Sequence, residues 1–278
     1  MNNSILAKNL IIQKQIEDIA RQFKKNGIKG VLLKGAALVL AFPSYAKTRN
    51  MEDIDMLVLP EDLSNARDIL SGLGYIPFPE DPCAMKNPQL STAIDLTDKI
   101  WYLDNKEAEI VFNCSLNFPD DEFRGCMYYL KPEDFYIHVL THGAFQHAEI
   151  NDIWRKDLAL MLDSWGKAIN WGEVEEKLKQ YGFQKASRTY LFPETSGNSF
   201  YLRLLYSKEN PLKGHVARFI FLPLRKKVNY LYSAFFPSNE FLQKRYSLNN
   251  PAQVFFYRIF RPFLLLKNLA VFTKSLLF

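Results

Sequence analysis

The chain contains the stretch Val31-Leu-Leu-Lys-Gly-Ala-Ala-Leu38 and, shortly after it, the stretch Asp53-Ile-Asp-Met-Leu-Val-Leu59. The first is an apolar run that meets Lys34-Gly35 and then becomes rich in helix formers, which predicts a short buried strand turning into a helix. In the second stretch, acidic and apolar residues alternate at the start, which predicts a strand with the Asp53 and Asp55 side chains on one face. A strand that turns into a helix and a second strand with paired carboxylates therefore form the centre of the predicted fold.

The sequence around this centre predicts further elements. Apolar residues at helical spacing predict helices, and clusters of β-forming residues predict strands. The predicted helices cover 4–23, 36–42, 61–73, 133–146, 153–165, 171–181 and much of 198–278; the predicted strands cover 30–33 and 53–59, a loop covers 77–93, and a hairpin joins strands 99–103 and 109–116. We expect an α+β protein, with a front lobe containing a small mixed sheet, residues 1–125, followed by an all-helical lobe, residues 126–278.

The composition is that of a globular protein. Of 278 residues, 48% are hydrophobic and 23% are charged, which excludes an intrinsically disordered chain. The three cysteines include no CxxC pair, so we expect neither a disulfide framework nor a structural zinc site. The N-terminal residues lack the basic and apolar segments of a signal peptide, so we expect a cytoplasmic protein.

Basic residues are concentrated towards the C-terminus. Residues 211–278 contain 11 Lys and Arg with Glu240 as their acidic residue, a net charge of +10, whereas residues 1–210 have a net charge of −5. Such a surface suits substrate phosphates, an anionic membrane or, less favoured, a nucleic acid; a solvated face is the alternative. Residues 255–278 interleave apolar and basic residues as in a helix at a membrane surface, but packing against the protein is the preferred explanation. The oligomeric state is left open.

The paired aspartates and the Lys-Gly turn together predict a nucleotide and metal site. Two carboxylates on one face, next to a phosphate pocket, offer the oxygen ligands that Mg²⁺ prefers. In the pocket, the first N–H groups of the helix, at Gly35 and Ala36, are expected to donate to anionic oxygens, and Lys34 adds a positive charge. Arg49 lies in the connection between the two stretches and is expected to assist in binding a triphosphate.

These stretches resemble the uncharacterised bacterial nucleotidyltransferase family of the DNA polymerase β-like superfamily. The likeness covers nearly the whole chain, and its most specific part is the Lys-Gly pair with the Asp-x-Asp motif. It continues in Leu73-Gly-Tyr75, Phe135-Tyr-Ile-His-Val-Leu-Thr-His-Gly143, Ile153-Trp-Arg-Lys-Asp-Leu-Ala159, Ile169-Asn-Trp171, Phe236-Pro237, Arg245-Tyr246 and Tyr257-Arg258. The resemblance implies a mixed sheet flanked by helices, Mg²⁺ with an NTP such as ATP, and transfer of a nucleotidyl group to a hydroxyl or phosphate acceptor of unknown identity.

The resemblance also implies a third carboxylate on a later strand, often in an Asp-Leu-His-Trp-like segment. The counterpart in this chain is read as Val111-Phe-Asn-Cys114, which lacks both the acid and the histidine. Glu109 lies two residues before Val111, so on a strand it shares its face, and it is the candidate third acid beside Asp53 and Asp55. If Glu109 does not act as the third acid, the alternative is a catalytically impaired binding or accessory protein, associated with a membrane surface or with polysaccharide assembly.

Overall fold

The computed structural model describes residues 3–78, 81–90, 92–118, 123, 125–195, 199–210, 212–246, 248 and 250–277. Over these residues the protein is α+β, with a mixed seven-stranded sheet and many helices, which confirms the predicted class. The chain forms two compact units: Met1–Tyr136 with Ala159–Ile169, and Ile137–Leu158 with Asn170–Phe278. The predicted division into 1–125 and 126–278 stays a prediction.

The first unit contains the sheet. Its strands are β1 (Gly30–Leu32), β2 (Asp53–Leu57), β3 (Ile76–Phe78), β4 (Asp81–Lys86), β5 (Ala93–Thr97), β6 (Leu116–Asn117) and β7 (Met127–Tyr129), in the spatial order β3-β4-β5-β2-β1-β7-β6. Strand β2 runs antiparallel to β1 and parallel to β5, and β1 runs parallel to β7. Because β1 is buried throughout and β2 is buried after its first residue, the two quoted stretches lie at the centre of the sheet.

The helices of the first unit are α1 (Asn3–Asn26), α2 (Lys34–Ala41), α3 (Leu63–Gly72) and α4 (Asn105–Asn113), with a 3-10 helix at Pro43–Lys47. Helix α1 is amphipathic, and its fully buried face carries Ile12, Ile16 and Phe23. It ends where Gly27 adopts a φ of 68° and the Ile28 N–H donates to the Phe23 carbonyl, a helix-terminating turn that favours glycine.

An aromatic cluster in the first unit explains why residues 159–169 belong to it. Helices α5 (Pro132–Thr141) and α6 (Asp152–Trp165) are each divided between the two units. At the end of α6, the ring of Trp165 lies 4.9 Å from Phe42, 5.7 Å from Tyr129 and 6.0 Å from Phe135, measured between ring centroids. These contacts pack the Trp165 side chain, at the end of α6, against the sheet-containing unit.

The second unit is helical in all its described elements. These are a π-helix at His142–His147, α7 (Trp171–Gln180), α8 (Gln184–Leu191), a 3-10 helix at Pro193–Thr195, α9 (Phe200–Tyr206), α10 (Leu212–Phe221), α11 (Leu224–Phe235), α12 (Asn239–Tyr246) and α13 (Pro251–Leu277). Helix α10 packs against the π-helix so closely that a Cβ on Gly214 would lie 1.9 Å from the Gln146 carbonyl oxygen. Only glycine allows this approach. Among the described helices, none is both long and apolar enough to cross a membrane.

Two predictions for the front half are wrong. The expected loop over 77–93 contains part of β3, all of β4 and the start of β5; residues 79, 80 and 91 lie outside the described residues. The expected hairpin is helix α4, because Asp104 and Glu107 form a capping box: the Glu107 N–H donates to Asp104 Oδ1 at 2.9 Å, and the Asp104 N–H donates to Glu107 Oε2 at 3.0 Å. A sequence with turn-forming residues therefore starts a helix rather than joining two strands.

Candidate active site

Strand β2 places two carboxylates on one face, as the sequence predicts. Asp53 is exposed at the start of the strand, whereas Asp55 is 5% exposed, and the intervening Ile54 is buried on the opposite face. The C-terminal half of the strand is buried. The carboxylates therefore lie at the exposed start of the strand, where a ligand in solution can reach them.

The neighbouring strand adds a third carboxylate to this face. Strand β5 pairs with β2 in parallel, with Asp95 directly opposite Asp55. Registered residues of neighbouring strands point to the same face, and their backbones lie about 4.8 Å apart. Asp95 is partly exposed, and Ile94 and Leu96 on either side of it are fully buried, so its carboxylate shares the face of Asp53 and Asp55.

Lys34 reaches these carboxylates from the turn between β1 and α2. Its Nζ lies 2.6 Å from Asp55 Oδ1, and both side chains are largely buried. The Leu33 N–H donates to the Asp55 carbonyl at 3.0 Å, which holds the turn against β2. Lys34 has a φ of 47°, in the left-handed region that costs a non-glycine residue on the order of 1 kcal/mol or more, and such backbone is common at ligand-binding sites.

The pKa values of these groups are shifted first by burial and then by the neighbouring charges. Burial raises the pKa of Asp55 to about 6, although the Lys34 ammonium opposes the shift. Burial also raises the pKa of Asp95, and the neighbouring charges of Asp81 and Asp53 add to the increase. Burial alone lowers the pKa of Lys34, but the carboxylates, Asp55 first, outweigh it and the pKa is raised. Asp55 and Asp95 therefore hold protons more readily than ordinary aspartates, even though Lys34 lies beside them.

Helix α2 begins at Lys34, beside the carboxylates, where the sequence predicts a phosphate pocket. Leu33 precedes the helix and its side chain makes no capping hydrogen bond. Gly35 and Ala36 are buried in the first turn. The N–H groups of a helix's first turn lack partners within the helix and attract anions. The geometry thus agrees with the predicted placement of Lys34, Gly35 and Ala36 at one turn.

Arg49 lies against this turn, as its predicted role requires. A Cβ added to Gly35 would lie 3.0 Å from Arg49 Nη2 and 3.1 Å from its Cζ, so the guanidinium packs directly on the glycine. Helix α1 fixes the segment that carries the arginine: Asn9 Nδ2 donates to the Ala46 and Arg49 carbonyl oxygens, at 2.7 and 2.6 Å. The Arg49 guanidinium also donates from Nη1 to the Asn50 carbonyl at 2.5 Å. The structure therefore brings Arg49 and Gly35 into contact.

Glu109 is not brought to this face. It lies on α4 rather than on a strand, and it is exposed. It borders a cavity lined by Asp98 and by residues 57–61. These residues lie at and just after the C-terminal end of β2, whereas Asp53 lies at its N-terminal end. The predicted strand position of Glu109 is wrong, because the capping box turns this segment into a helix. Val111 is also on α4 and is not the counterpart of a strand carboxylate.

Asp95 is the functional candidate that the sequence reasoning missed. The signal was present in Ala93-Ile-Asp-Leu-Thr97, where apolar residues flank the aspartate as they do in Asp53-Ile-Asp-Met56. The signal was missed because the prolines of residues 77–93 predicted a loop, where the structure has part of strand β3, strand β4 and the start of β5.

The second unit has a polar and aromatic cluster of its own at the π-helix. The ring of His142 lies 4.5 Å from His147 and 4.9 Å from Trp154, and its Nδ1 is 3.1 Å from Gln146 Oε1. Asp157 is fully buried nearby in the sequence. Among the described residues, no group of three or more His, Cys, Asp or Glu side chains is arranged to hold a metal ion as it stands. At the aspartate face, Lys34 is the group that contacts Asp55.

A comparison with known families identifies the family of the chain. Residues 2–192 match the family described as "Uncharacterised nucleotidyltransferase". The chain belongs to this family. The match covers more than half of the chain and includes the Lys-Gly turn, the Asp-x-Asp strand and Asp95. No curated protein and no solved structure matches the chain. The resemblance inferred from the sequence is therefore confirmed over residues 2–192, and the general class of the protein is that of a nucleotidyltransferase.

Proposed function

We propose that this nucleotidyltransferase-family protein is a metal-dependent enzyme that moves a nucleotidyl group from an NTP to a hydroxyl or phosphate acceptor. The observation that carries the proposal is the register of β2 and β5, which sets Asp55 and Asp95 side by side, with Lys34 bound to Asp55 at the start of α2. Three carboxylates beside a helix N-terminus suit a site for a triphosphate with its cation.

The residues of this face have the donor chemistry that Mg²⁺ requires. Asp53, Asp55 and Asp95 offer carboxylate oxygens, and burial, with a smaller contribution from the neighbouring carboxylates, raises the pKa values of Asp55 and Asp95. These three aspartates would hold Mg²⁺, which when bound would supply positive charge to neutralise the phosphates. The Lys34 ammonium contacts Asp55 in this structure, so it has to leave that carboxylate when a cation binds. The adjacent phosphate pocket is then the site that it occupies.

The remaining residues bind and orient the triphosphate. The Gly35 and Ala36 N–H groups donate to phosphate oxygens, and the absence of a Cβ on Gly35 leaves room for Arg49 beside them. The Arg49 guanidinium presents a planar set of donors that can bind two phosphate oxygens at once. Lys34, released from Asp55, contributes an ammonium to the same phosphates.

In the transfer, an acceptor oxygen attacks the α-phosphorus of the NTP. A new oxygen–phosphorus bond forms, and the bond from that phosphorus to the bridging oxygen breaks, so that pyrophosphate leaves with the bonding electron pair. The acceptor proton passes to Asp95, the carboxylate that lies in register with Asp55 on the neighbouring strand. The acceptor itself is unknown, and ATP is the NTP with which the proposal is tested.

Calorimetry and product analysis together test the proposal. Mg²⁺-ATP is titrated into the wild-type chain, and pyrophosphate release is measured with cell extract as the source of acceptors. We expect binding and release in the wild type, and at least about a 1,000-fold loss of release in Asp55→Asn, since the variant loses a carboxylate that holds the cation. Circular dichroism checks the fold of the variant.

The alternative of a catalytically impaired binding or accessory protein arose from the missing acid at Val111. Asp95 removes that reason, because it supplies a carboxylate in register with Asp55. The same experiment separates the two functions: ATP binding with no pyrophosphate release from any extract supports the binding protein. Release that continues unchanged in Asp55→Asn contradicts the proposed site.

A further inference from the structure

The C-terminal helix α13 exposes apolar side chains along half of its circumference. Seven of its large hydrophobic residues are more than half exposed, and Ile259 is nearly so: Phe255, Phe256, Phe260, Phe263, Leu264, Leu266 and Val271. At 100° per residue, these eight positions fall within one half of the helix. Lys267 and Lys274 are exposed on the same half. Single exposed hydrophobic residues are ordinary, but a continuous face of this size marks an interaction surface.

The opposite half of α13 faces the protein and holds the helix in place. Val254 packs in a buried cluster with Leu242 and Leu248. Arg258 Nη2 donates to the Pro237 carbonyl at 2.9 Å, and Arg261 Nε donates to the Ala234 carbonyl at 3.0 Å. The guanidinium groups thus cap the end of α11 and the segment after it. A helix in contact with water places its arginines outward, and α13 does the reverse.

The charge of the segment decides which partner suits this face. Residues 211–278 carry a net charge of +10. A second copy of the same face brings like charges together, which disfavours self-association. A surface of anionic phospholipids matches both features, because acyl chains receive the aromatic side chains and the headgroups attract Lys267 and Lys274. The helix does not meet the requirements for crossing a membrane, so it would lie along the surface.

We infer that α13 is a membrane-surface helix that docks this protein on anionic phospholipid. Phe256, Phe260 and Phe263 enter the boundary between headgroups and acyl chains, and Lys267 and Lys274 bind the headgroup phosphates. The inference does not depend on the proposed catalytic activity, because no residue of the aspartate face takes part in it.

Vesicle flotation of the full chain tests this docking. The probes are vesicles of phosphatidylcholine mixed with phosphatidylglycerol, and vesicles of phosphatidylcholine alone. We expect flotation with the anionic vesicles, a strong decrease at high salt, and little flotation with the neutral ones. Replacing both exposed lysines, Lys267→Gln with Lys274→Gln, should weaken binding by about fivefold for each charge removed.

An apolar variant and a matched control complete the test. Phe256→Ser, Phe260→Ser and Phe263→Ser combined should lower vesicle affinity by more than about 100-fold, because three aromatic side chains no longer leave water. The control combines Ile11→Ser, Ile76→Ser and Ile110→Ser, which are comparably exposed in the first unit, and should float like the wild type. Thermal melting shows whether each variant folds, and hydrogen exchange of the wild type should show slower exchange in α13 when anionic vesicles are present.

Three results overturn the inference. The first is a wild-type chain that does not float with anionic vesicles, and the second is equal flotation of the phenylalanine variant and the isoleucine control. The third is a wild-type dimer in sedimentation velocity that the phenylalanine variant converts to monomer while vesicle binding is absent. That result assigns the face to a second copy of the chain.

Discussion

The aspartate face of β2 and β5 and the exposed half of α13 depart in opposite ways from the usual distribution of residues. At the first, three carboxylates and a lysine gather where the neighbouring residues of the same strands are buried. At the second, large apolar side chains face water while arginines point inward. Both arrangements destabilise the free protein, and both are relieved by a partner: a cation with a triphosphate at one, a lipid surface at the other.

A large difference in activity is expected between variants of Asp95, at the aspartate face, and variants of Glu109, on α4. Asp95→Asn should lower pyrophosphate release by at least about 100-fold, because the proposed proton acceptor is lost. Glu109→Gln is the matched control, and it should stay within about twofold of the wild type, since exposed side chains away from a site change little. The opposite result, with Glu109→Gln inactive and Asp95→Asn active, would assign the role of third acid to Glu109, as expected from the sequence alone.

The pH dependence of stability should distinguish buried charge from exposed charge. The pKa of Asp55 is about 6 in the folded protein and about 4 in an unfolded chain, so folding favours its protonated form. Asp55 therefore destabilises the wild type progressively as pH rises from about 4 to about 6, by about 3 kcal/mol in total, and adds no further pH dependence above that range.

Urea unfolding without divalent cations measures this effect. The free energy of unfolding of the wild type, relative to Asp55→Asn, should decrease over that range. A constant difference between the two proteins from pH 4 to 7 would show that Asp55 is not destabilised by burial. The phenylalanine variant of α13 serves as the control, because it should follow the wild-type pH profile in the absence of lipid.

A smaller effect is expected where Gly35 meets Arg49. Gly35→Ala places a methyl group 3.0 to 3.1 Å from the guanidinium, which must shift by a few tenths of an ångström. We expect ATP affinity to decrease by about three- to tenfold, since a charge-assisted hydrogen bond is weakened rather than lost. Calorimetry measures the change. Gly72→Ala on α3 is the control, because its added methyl group meets nothing within 4 Å. Equal ATP affinities in the two variants would show that Arg49 takes no part in triphosphate binding.

Asp55→Asn and the α13 variants also test whether the two regions act independently. Flotation with anionic vesicles should be the same for Asp55→Asn and the wild type. Replacing the three α13 phenylalanines should leave pyrophosphate release in solution unchanged, because none of them belongs to the nucleotide site. A loss of release in that variant, with the fold intact, indicates that α13 contributes to the reaction as well as to docking.

Local sequence determined the parts of the site that are close together in the chain. The Lys34-Gly35 turn and the Asp53 and Asp55 pair follow from strand alternation and from a short connection, so their strand and helix assignments are confirmed. Local sequence also determined α4, but its signal was misread. The Asp104 and Glu107 capping box has the same residues as a turn, and only the hydrogen bonds distinguish the two.

Tertiary structure alone decided the third carboxylate and the exposed face of α13. Asp95 is 40 positions from Asp55 in the chain, and strand pairing brings them together; register between distant strands depends on packing over the whole sheet. The pattern of residues 255–278 fits both a helix packed on the protein, which is the explanation preferred from the sequence alone, and a helix that faces a partner. Burial shows which half is covered: Val254, Arg258 and Arg261 face the protein, and the phenylalanines face outward. Periodicity gives the faces of a helix, but contacts with the rest of the chain select which face is left for a partner.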